Sequence, residues 1–318
     1  MSGFPEDPTF GWSWKRHSFY AECPRKYWWA TYGCWGGWAA QAGEPAWLAF
    51  RLRHLTTFPL LVGILAHEAM RGIAEAIRAR GPRPGPEALY GAARRELLRV
   101  RAMERRQFLV ATRRNPMLAP CFLGTRPESE VTEEMHQADT LLLRCVETGS
   151  ELSFWEELER AVKILPPDKV QCIEVPILGD EPFRMWGAPD LAWIHADRTS
   201  VSVDDFKTGR RLDADRGSLQ IHAYAAWMVL GGARWTPDWR GRLISLRDGS
   251  EVGVPITRPG LDEAFTMIER DVRAWRLGQE SREPNSAPMH AFPKTEDRRS
   301  CRSCAFAPVC LTASNPGG

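Results

Sequence analysis

Alternating hydrophobic and polar positions set residues 170–207 apart from the rest of the chain. Three segments share this alternation and contain β-branched or aromatic residues: 170–178, 183–195 and 199–207. The short turn sequences GDEP and ADR separate them. Because successive side chains of a strand point to opposite faces, the pattern predicts a three-stranded meander.

Helical patterns lie on both sides of these strands. Before them, the sequence predicts a helix at 59–80, which the breaker-rich GPRPGP ends, and two or three more at 86–165, interrupted near 115–127. After them, it predicts a helix, two short strands and a helix, at 217–230, 240–248, 251–256 and 259–277. A short aromatic helix is predicted at 17–33, and the C-terminal tail is predicted to be a loop. This order indicates an α/β core with a mainly helical insertion.

Composition is that of a globular protein, with 318 residues of which 43% are hydrophobic and 26% charged. The net charge of +2 is too small to indicate nucleic-acid binding by itself. The longest apolar run, at 58–66, is shorter than the roughly twenty residues of a membrane span, and the first twenty residues contain no apolar signal segment. We therefore expect a cytoplasmic protein without membrane contact. In that reducing compartment its eight cysteines bind metal more readily than they pair.

Arginines are concentrated between residues 94 and 114, whereas residues 128–159 are mainly acidic. One interpretation is a basic surface that contacts DNA phosphates. The other is a pair of solvated helix faces with complementary charge. The candidate DNA contacts are Arg94, Arg95, Arg99, Arg101, Arg105, Arg106, Arg113 and Arg114.

The sequence VDDFK at 203–207 contains one of only six lysines among the 42 basic residues. On a strand, Asp205 and Lys207 share a face, whereas Asp204 points to the other face and is predicted to be dispensable for chemistry. Asp190 lies on the neighbouring predicted strand. Two carboxylates on adjacent strands suit Mg²⁺ or Mn²⁺, and a lysine can orient or deprotonate a water, which arginine cannot. A surface salt bridge between Asp205 and Lys207 is the alternative interpretation.

Several motifs occur together in a known order. PD at 189–190, followed after fourteen residues by DFK at 205–207, resembles the signature of the PD-(D/E)XK nuclease superfamily. The TG at 208–209, GILAH at 63–67 and QIHAY at 220–224 resemble its RecB-like exonuclease branch. Glu174 stands where that branch usually has a glutamate, and its role is left open between site and structure.

The resemblance implies a restriction-endonuclease-like core, a mixed sheet flanked by helices. It implies that His67, Asp190, Asp205 and the backbone carbonyl of Phe206 bind Mg²⁺ or Mn²⁺. Lys207 would position the attacking water. The remaining catalytic-site residues, Gln220 and Tyr224, share a helix face as i and i+4 and would support Lys207 or the scissile strand.

Three cysteines near the C-terminus, Cys301, Cys304 and Cys310, have the spacing C-x2-C-x5-C, and a fourth soft ligand is required. Cys23 is the candidate, with Cys34 as its competitor. This arrangement resembles the iron–sulfur subgroup of the branch, which includes CRISPR-associated adaptation exonucleases and the nuclease domains of helicase–nuclease repair machines. It implies a structural 4Fe–4S cluster that joins the N- and C-terminal segments. Zinc or unligated thiols remain the alternatives, and the other three cysteines are expected to be buried or incidental: Cys121, Cys145 and Cys172.

The combined expectation is a metal-dependent DNA nuclease, more precisely an exonuclease, in DNA repair, recombination or anti-phage defence of the CRISPR type. Its partners would be single-stranded DNA or duplex ends and a helicase or defence-complex protein. The alternatives are a catalytically weak DNA-binding or assembly subunit, and a zinc-containing endonuclease of the same fold. The predicted divisions are the N-terminal segment, the histidine helix, the helical insertion, the nuclease core and the cysteine segment: 1–58, 59–80, 81–165, 166–280 and 281–318.

Overall fold

A five-stranded mixed sheet, covered by helices on both faces, lies at the centre of the fold. The computed structural model describes residues 10–110, 116–124, 126–165, 171–177, 180–278, 287–302 and 304–312. The α-helices are α1 Trp14–Glu22, α2 Pro24–Trp28, α3 Glu44–Leu52, α4 Phe58–Arg78, α5 Pro86–Arg101, α6 Arg105–Val110, α7 Ala119–Leu123, α8 Glu128–Ser150, α9 Phe154–Glu159, α10 Ala214–Leu230, α11 Arg258–Leu277, α12 Arg298–Arg302 and α13 Ala307–Thr312. A π-helical turn, Trp29–Gly33, follows α2, and a 3₁₀ turn spans Met289–Ala291.

The strands form one large sheet and two small ones. They are β1 Gly11–Trp12, β2 Leu55–Thr56, β3 Met117–Leu118, β4 Lys163–Ile164, β5 Gln171–Ile177, β6 Asp180–Gly187, β7 Leu191–Ile194, β8 Val201–Lys207, β9 Arg240–Ser245 and β10 Glu251–Pro255. The large sheet has the order β10-β9-β8-β7-β4, in which β8 and β9 are parallel and the other pairs antiparallel. The order of the second sheet is β1-β6-β5, and β2 pairs with β3.

The predicted three-stranded meander is wrong in one respect. The segment 183–195 is not one strand, because β6 ends at Gly187 and β7 begins at Leu191, and the two strands belong to different sheets. Pro189 lies in the break and has no N–H to donate to a strand ladder. The break leaves Asp190 at the start of β7, beside the central strand β8.

Most of the other predicted elements lie within a few residues of their expected positions, but the described part of 86–165 contains five helices, α5 to α9, instead of two or three, and the short strands β3 and β4. The helix predicted at 217–230 begins three residues earlier because Asp213 caps it, with its Oδ1 accepting from the amide of Arg216 at 3.0 Å. The cysteine-containing tail is not a simple loop. It contains α12 and α13, and Asp297 accepts from the amide of Arg299 at 2.9 Å at the start of α12.

Two hydrophobic cores lie on the two faces of the large sheet. Phe206 and Trp193 pack on one face against α4, α8 and α9. Val203 and Leu243 pack on the other face against α10 and α11. The sheet is therefore buried on both sides, and polar side chains on β8 must find partners within the fold.

The N-terminal segment packs against helix α11, far away in the sequence. The indole Nε1 of Trp12 donates to Oδ2 of Asp271 at 3.0 Å, and Nδ1 of His17 lies 2.6 Å from the same oxygen. The ring of Tyr27 stacks on Trp275 with centroids 4.6 Å apart. The first helices and α11 therefore share one core.

In the part of the chain that the structure describes, no helix has both the length and the apolar character needed to cross a bilayer.

Candidate active site

Strand β8 brings Asp205 and Lys207 onto one face, as its alternation predicts. The ammonium of Lys207 contacts Oδ2 of Asp205. Asp205 is 2% exposed, whereas the Lys207 side chain is about one-third exposed. A buried carboxylate therefore lies beside a lysine whose charged end reaches the surface.

Helix α10 supplies a glutamine that joins these two charges. The Oε1 of Gln220 accepts from Nζ of Lys207 at 3.0 Å, and its Nε2 donates to Oδ1 of Asp205 at 2.8 Å. The same Nε2 lies 3.0 Å from the hydroxyl of Tyr224, one turn along the helix. The network fixes the orientation of the amide, because a flipped Gln220 would lose both charge-assisted bonds.

Asp190 and His67 form a second pair of side chains at the same end of the sheet. Nδ1 of His67, on α4, lies 3.0 Å from Oδ1 of Asp190. The amide of Phe206 donates to Oδ2 of Asp190 at 2.7 Å. The structure thus brings together the five side chains His67, Asp190, Asp205, Lys207 and Gln220 where β7 begins and β8 ends.

The two carboxylates have opposite pKa shifts. Burial raises the pKa of Asp190, but His67, the Phe206 amide and Lys207 outweigh it and lower that pKa below its ordinary value. Burial and then the negative charge of Asp190 raise the pKa of Asp205 to about 7, although Lys207 opposes the shift. Such divergence within one pair is typical of sites that hold or move a proton, or that await a cation.

The donor set fits a hard divalent cation. Oδ2 of Asp205 is buried and, within the described residues, accepts no hydrogen bond of normal geometry despite its contact with Lys207. Carboxylate oxygens are the ligands that Mg²⁺ and Mn²⁺ prefer, and an imidazole nitrogen is compatible with Mn²⁺. No group of three or more His, Cys, Asp or Glu side chains in the described ranges already has the arrangement of a metal site. A cation would therefore have to replace existing contacts, those of His67 with Asp190 and of Lys207 with Asp205.

Asp204 has a different environment from Asp205, its neighbour. It is 0% exposed and accepts from Nε1 of Trp193 at 3.0 Å and from Nε of Arg242 at 2.8 Å. Nη2 of Arg242 donates to its second oxygen at 3.0 Å. This bidentate pair links β7, β8 and β9, so Asp204 is a structural carboxylate on the opposite face from Lys207. Its partners on β7 and β9 could not be identified from sequence, because strand register is a tertiary property.

Glu174 does not join the network. It lies on β5, is exposed, and forms an ion pair of 3.8 Å with Arg184 on the neighbouring strand β6. This contact favours the structural interpretation of Glu174.

Three of the eight candidate arginines form ion pairs, two of them with the acidic helix α8, which favours the interpretation of complementary helix faces. Arg94 binds Asp139 of α8 at 3.0 Å, Arg99 binds Glu96 at 2.6 Å, and Arg101 contacts Glu128. The remaining candidates are Arg105, which lies over the ring of Phe122, the exposed Arg95 and Arg106, and Arg113 and Arg114, which lie outside the described residues.

Four cysteines line one cavity of about 370 Å³, namely Cys23, Cys301, Cys304 and Cys310. Cys23 lies at the break between α1 and α2, and its Sγ accepts from the amide of Thr295 at 3.4 Å. Burial raises the pKa of both Cys304 and Cys310. The competing Cys34 is buried and does not line this cavity, and its Sγ donates to the carbonyl of Ala30 at 3.3 Å.

The surroundings of this cavity fit an anionic thiolate-bound group. Arg25 is 4% exposed, and its Nε donates to the carbonyl of Phe292 at 2.6 Å. Its Nη1 is buried and has no hydrogen-bond partner among the described residues, and its charge acts on Cys23 and Cys310. A buried guanidinium with a spare donor suits neighbouring thiolates, whose negative charge would compensate it.

The other three cysteines lie apart from this cavity. Cys145 is buried, and burial raises its pKa to about 11, so its thiol stays protonated at neutral pH. Cys121 is partly buried, and Cys172 is exposed rather than buried. These environments agree with the expectation that the three thiols are buried or incidental.

Comparison with known protein families identifies one that matches this chain. The sequence profile of the PD-(D/E)XK nuclease superfamily matches residues 11–311, which is most of the chain. Comparison with individual curated proteins gives no significant match. The mixed α/β architecture, with mixed sheets flanked by helices, agrees with the fold of that superfamily. The chain therefore belongs to the PD-(D/E)XK nuclease superfamily, whose activity is the hydrolysis of phosphodiester bonds.

Proposed function

We propose that this protein is a deoxyribonuclease that depends on Mg²⁺ or Mn²⁺. The observation that carries the proposal is the network of Asp205, Lys207 and Gln220, with Asp190 and His67 beside it. Membership of the superfamily implies a phosphodiester hydrolase, and the network supplies the carboxylates and the lysine that such a reaction uses. DNA as the substrate and the divalent cation are the finer parts of the proposal.

Each side chain has a role in this proposal. Asp190 and Asp205 hold the cation, with His67 and the Phe206 carbonyl completing the ligands. The bound cation supplies Lewis-acid activation of the phosphate and of the attacking water. Lys207 orients the water and offsets negative charge that develops at the phosphate.

Gln220 and Tyr224 are positioning residues in this scheme. Because Gln220 binds both Lys207 and Asp205, it keeps the ammonium close to the carboxylate. Tyr224 in turn lies within hydrogen-bond distance of Gln220. The amide therefore holds the lysine in place before the substrate arrives, which lowers the entropic cost of reaching the reactive geometry.

We further propose that the four cysteines bind a structural 4Fe–4S cluster. Their position around one cavity, next to the buried Arg25, supports this assignment. The cluster would connect Cys23 with the tail at 301–310, and phosphodiester hydrolysis needs no electron transfer from it. Zinc uses the same thiolates, so a colourless protein that contains zinc would contradict the cluster.

The proposed biological role rests on the resemblance of the sequence motifs to the RecB-like exonuclease branch. We propose an exonuclease of DNA repair, recombination or CRISPR-type defence, working with a helicase or another protein of such a complex. The second candidate, a DNA-binding or assembly subunit with weak catalysis, is disfavoured because the carboxylate and lysine positions are all filled.

The test is digestion of end-labelled single-stranded and duplex DNA by anaerobically purified protein, with and without Mg²⁺ or Mn²⁺. We expect metal-dependent hydrolysis, and a rate lower by about a hundredfold or more in Asp205→Ala and Lys207→Ala. Matched controls are Asp238→Ala and Lys163→Ala, both at exposed positions. If the two site variants digest DNA at the parent rate, the site assignment is wrong. If the parent binds DNA but never hydrolyses it, the assembly subunit replaces the nuclease.

A further inference from the structure

A second cavity opens directly beside the catalytic lysine, with a volume of about 380 Å³. It lies between the first turns of α4, the middle of α8, and the segment that follows β8. Its basic and hydroxyl groups come from Thr208, Arg210 and Arg247, and its apolar wall includes Phe58, Val62 and Leu141.

The cavity is lined by residues that neighbour the proposed catalytic residues in the chain. Thr208, which lines it, is the residue after Lys207. At Gly63, a Cβ atom would lie 3.2 Å from the hydroxyl oxygen of Thr208, so α4 and this segment approach closely there. Gly63 precedes His67 by one helical turn. The cavity therefore lies close to both Lys207 and His67.

The charges in the cavity favour phosphate. Neither Arg210 nor Arg247 forms an ion pair with an acidic side chain of the described residues, unlike Arg94, Arg99 and Arg101. Glu134 also lines the cavity, but its carboxylate is engaged by Arg126. Guanidinium groups bind phosphate oxygens through paired N–H donors, so these two arginines are suited to a nucleic-acid backbone.

The volume of the cavity and its apolar wall determine which other part of a nucleic acid can enter it. Phe58 and Val62 are buried, whereas Leu141 is only partly buried, so Leu141 is the part of this wall that a base can contact. Pockets of about 300–1,000 Å³ hold one small ligand, which corresponds to one nucleotide. A base held in a duplex cannot reach such a pocket without leaving its partner.

We propose that this cavity is a subsite for one unpaired nucleotide, adjacent to the phosphodiester that is cut. Arg210 and Arg247 bind its backbone phosphate, and the apolar wall contacts its base. The subsite rests on the proposed nuclease function and specifies its substrate as a single strand or a frayed end.

The test measures binding of a fluorescein-labelled oligothymidylate in EDTA, where no hydrolysis occurs. We expect the double variant Arg210→Gln/Arg247→Gln to bind about tenfold more weakly than the parent, with a less steep dependence of affinity on salt. The matched control is Arg160→Gln/Arg234→Gln, which removes the same charge from exposed arginines outside the cavity and should bind like the parent.

A second arm tests the unpaired base. With Mn²⁺ present, the parent should cut single-stranded DNA and frayed ends faster than blunt, GC-closed duplex, and Leu141→Gln should reduce this preference. Equal weakening of binding by both double variants, or blunt duplex cut as fast as a single strand, overturns the subsite. Absence of any metal-dependent hydrolysis by the parent would instead overturn the nuclease function, while the binding arm in EDTA would still decide the subsite.

Discussion

The side-chain amide of Gln220 donates a hydrogen bond of 2.8 Å to the buried carboxylate of Asp205. Its carbonyl oxygen accepts from Lys207 at 3.0 Å, so one neutral side chain connects the two charges. Helix α10 is thereby coupled to the end of strand β8. The geometry of the proposed reaction depends on a residue that neither titrates nor binds the cation in our scheme.

The first prediction concerns this connection. Gln220→Leu should lower kcat by about tenfold or more, with a smaller effect on KM, because the lysine loses its hydrogen-bonded position. Steady-state digestion of single-stranded DNA measures both constants. Gln107→Leu, at an exposed position, is the control. An unchanged kcat in Gln220→Leu would show that Lys207 needs no support from α10.

Lysine at position 207 should not be replaceable by arginine. Lys207→Arg keeps the positive charge, but a guanidinium cannot give up a proton and its planar fork cannot take the place of a compact ammonium. We expect kcat to fall by about a hundredfold, with DNA affinity in EDTA close to that of the parent. Lys163→Arg is the matched control. Activity of the arginine variant near the parent rate would mean that position 207 supplies charge alone.

The raised pKa of Asp205 makes the stability of the metal-free protein depend on pH. The native carboxyl has a pKa of about 7, against an ordinary value of 3.8, so between these values the native state binds more protons than the unfolded state. The contribution of this group therefore falls as the pH rises from about 4 to about 7. Denaturant unfolding in EDTA, compared between the parent and Asp205→Asn, measures it. If the free energies of unfolding of the two proteins change with pH in parallel, the raised pKa of Asp205 is ruled out.

Asp204 should affect stability rather than chemistry. Asp204→Ala leaves Arg242 without its partner in a largely buried position, which should lower the free energy of unfolding by about 3 kcal/mol. Where the variant is still folded, kcat should stay close to that of the parent. The double variant Asp204→Leu/Arg242→Met removes both charges and should lose less stability than the single one. A single variant as stable as the parent would contradict the role assigned to this pair.

Substitution distinguishes the two candidates for the fourth cluster ligand, Cys23 and Cys34. Cys23→Ser should lower the bound iron and reduce the Tm by at least about 5 °C, because it removes a ligand from the N-terminal side of the cavity. Cys34→Ser should keep the iron content, since Cys34 does not line the cavity. Metal analysis and visible absorbance provide the measurement. Full iron content in Cys23→Ser would mean that Cys34 is the fourth ligand instead.

Sequence patterns predicted those parts of the site that depend on local geometry. The alternation along β8 separated Asp205 from Asp204, and the spacing of four residues in α10 placed Gln220 and Tyr224 on one face. The family motifs pointed to His67 and Asp190, which lie 123 positions apart and meet at 3.0 Å. The periodicity of the sequence could not predict which distant elements pair with one another. The partition of 183–195 between two sheets, the pairing of Asp204 with Arg242, and the pairing of Arg94 and Arg101 with α8 all depend on which elements pack together.

The contact of Trp12 and His17 with Asp271 has a consequence for the order of events during synthesis. Their partner lies 259 and 254 positions further along the chain, and the stacking partner of Tyr27 lies in the same helix, α11. The aromatic side chains of the first thirty residues therefore emerge from the ribosome long before their native contacts exist. Contacts between distant parts of a chain form slowly and leave apolar surface exposed in the interval. These aromatic residues can therefore reach their native positions only after α11 has been made.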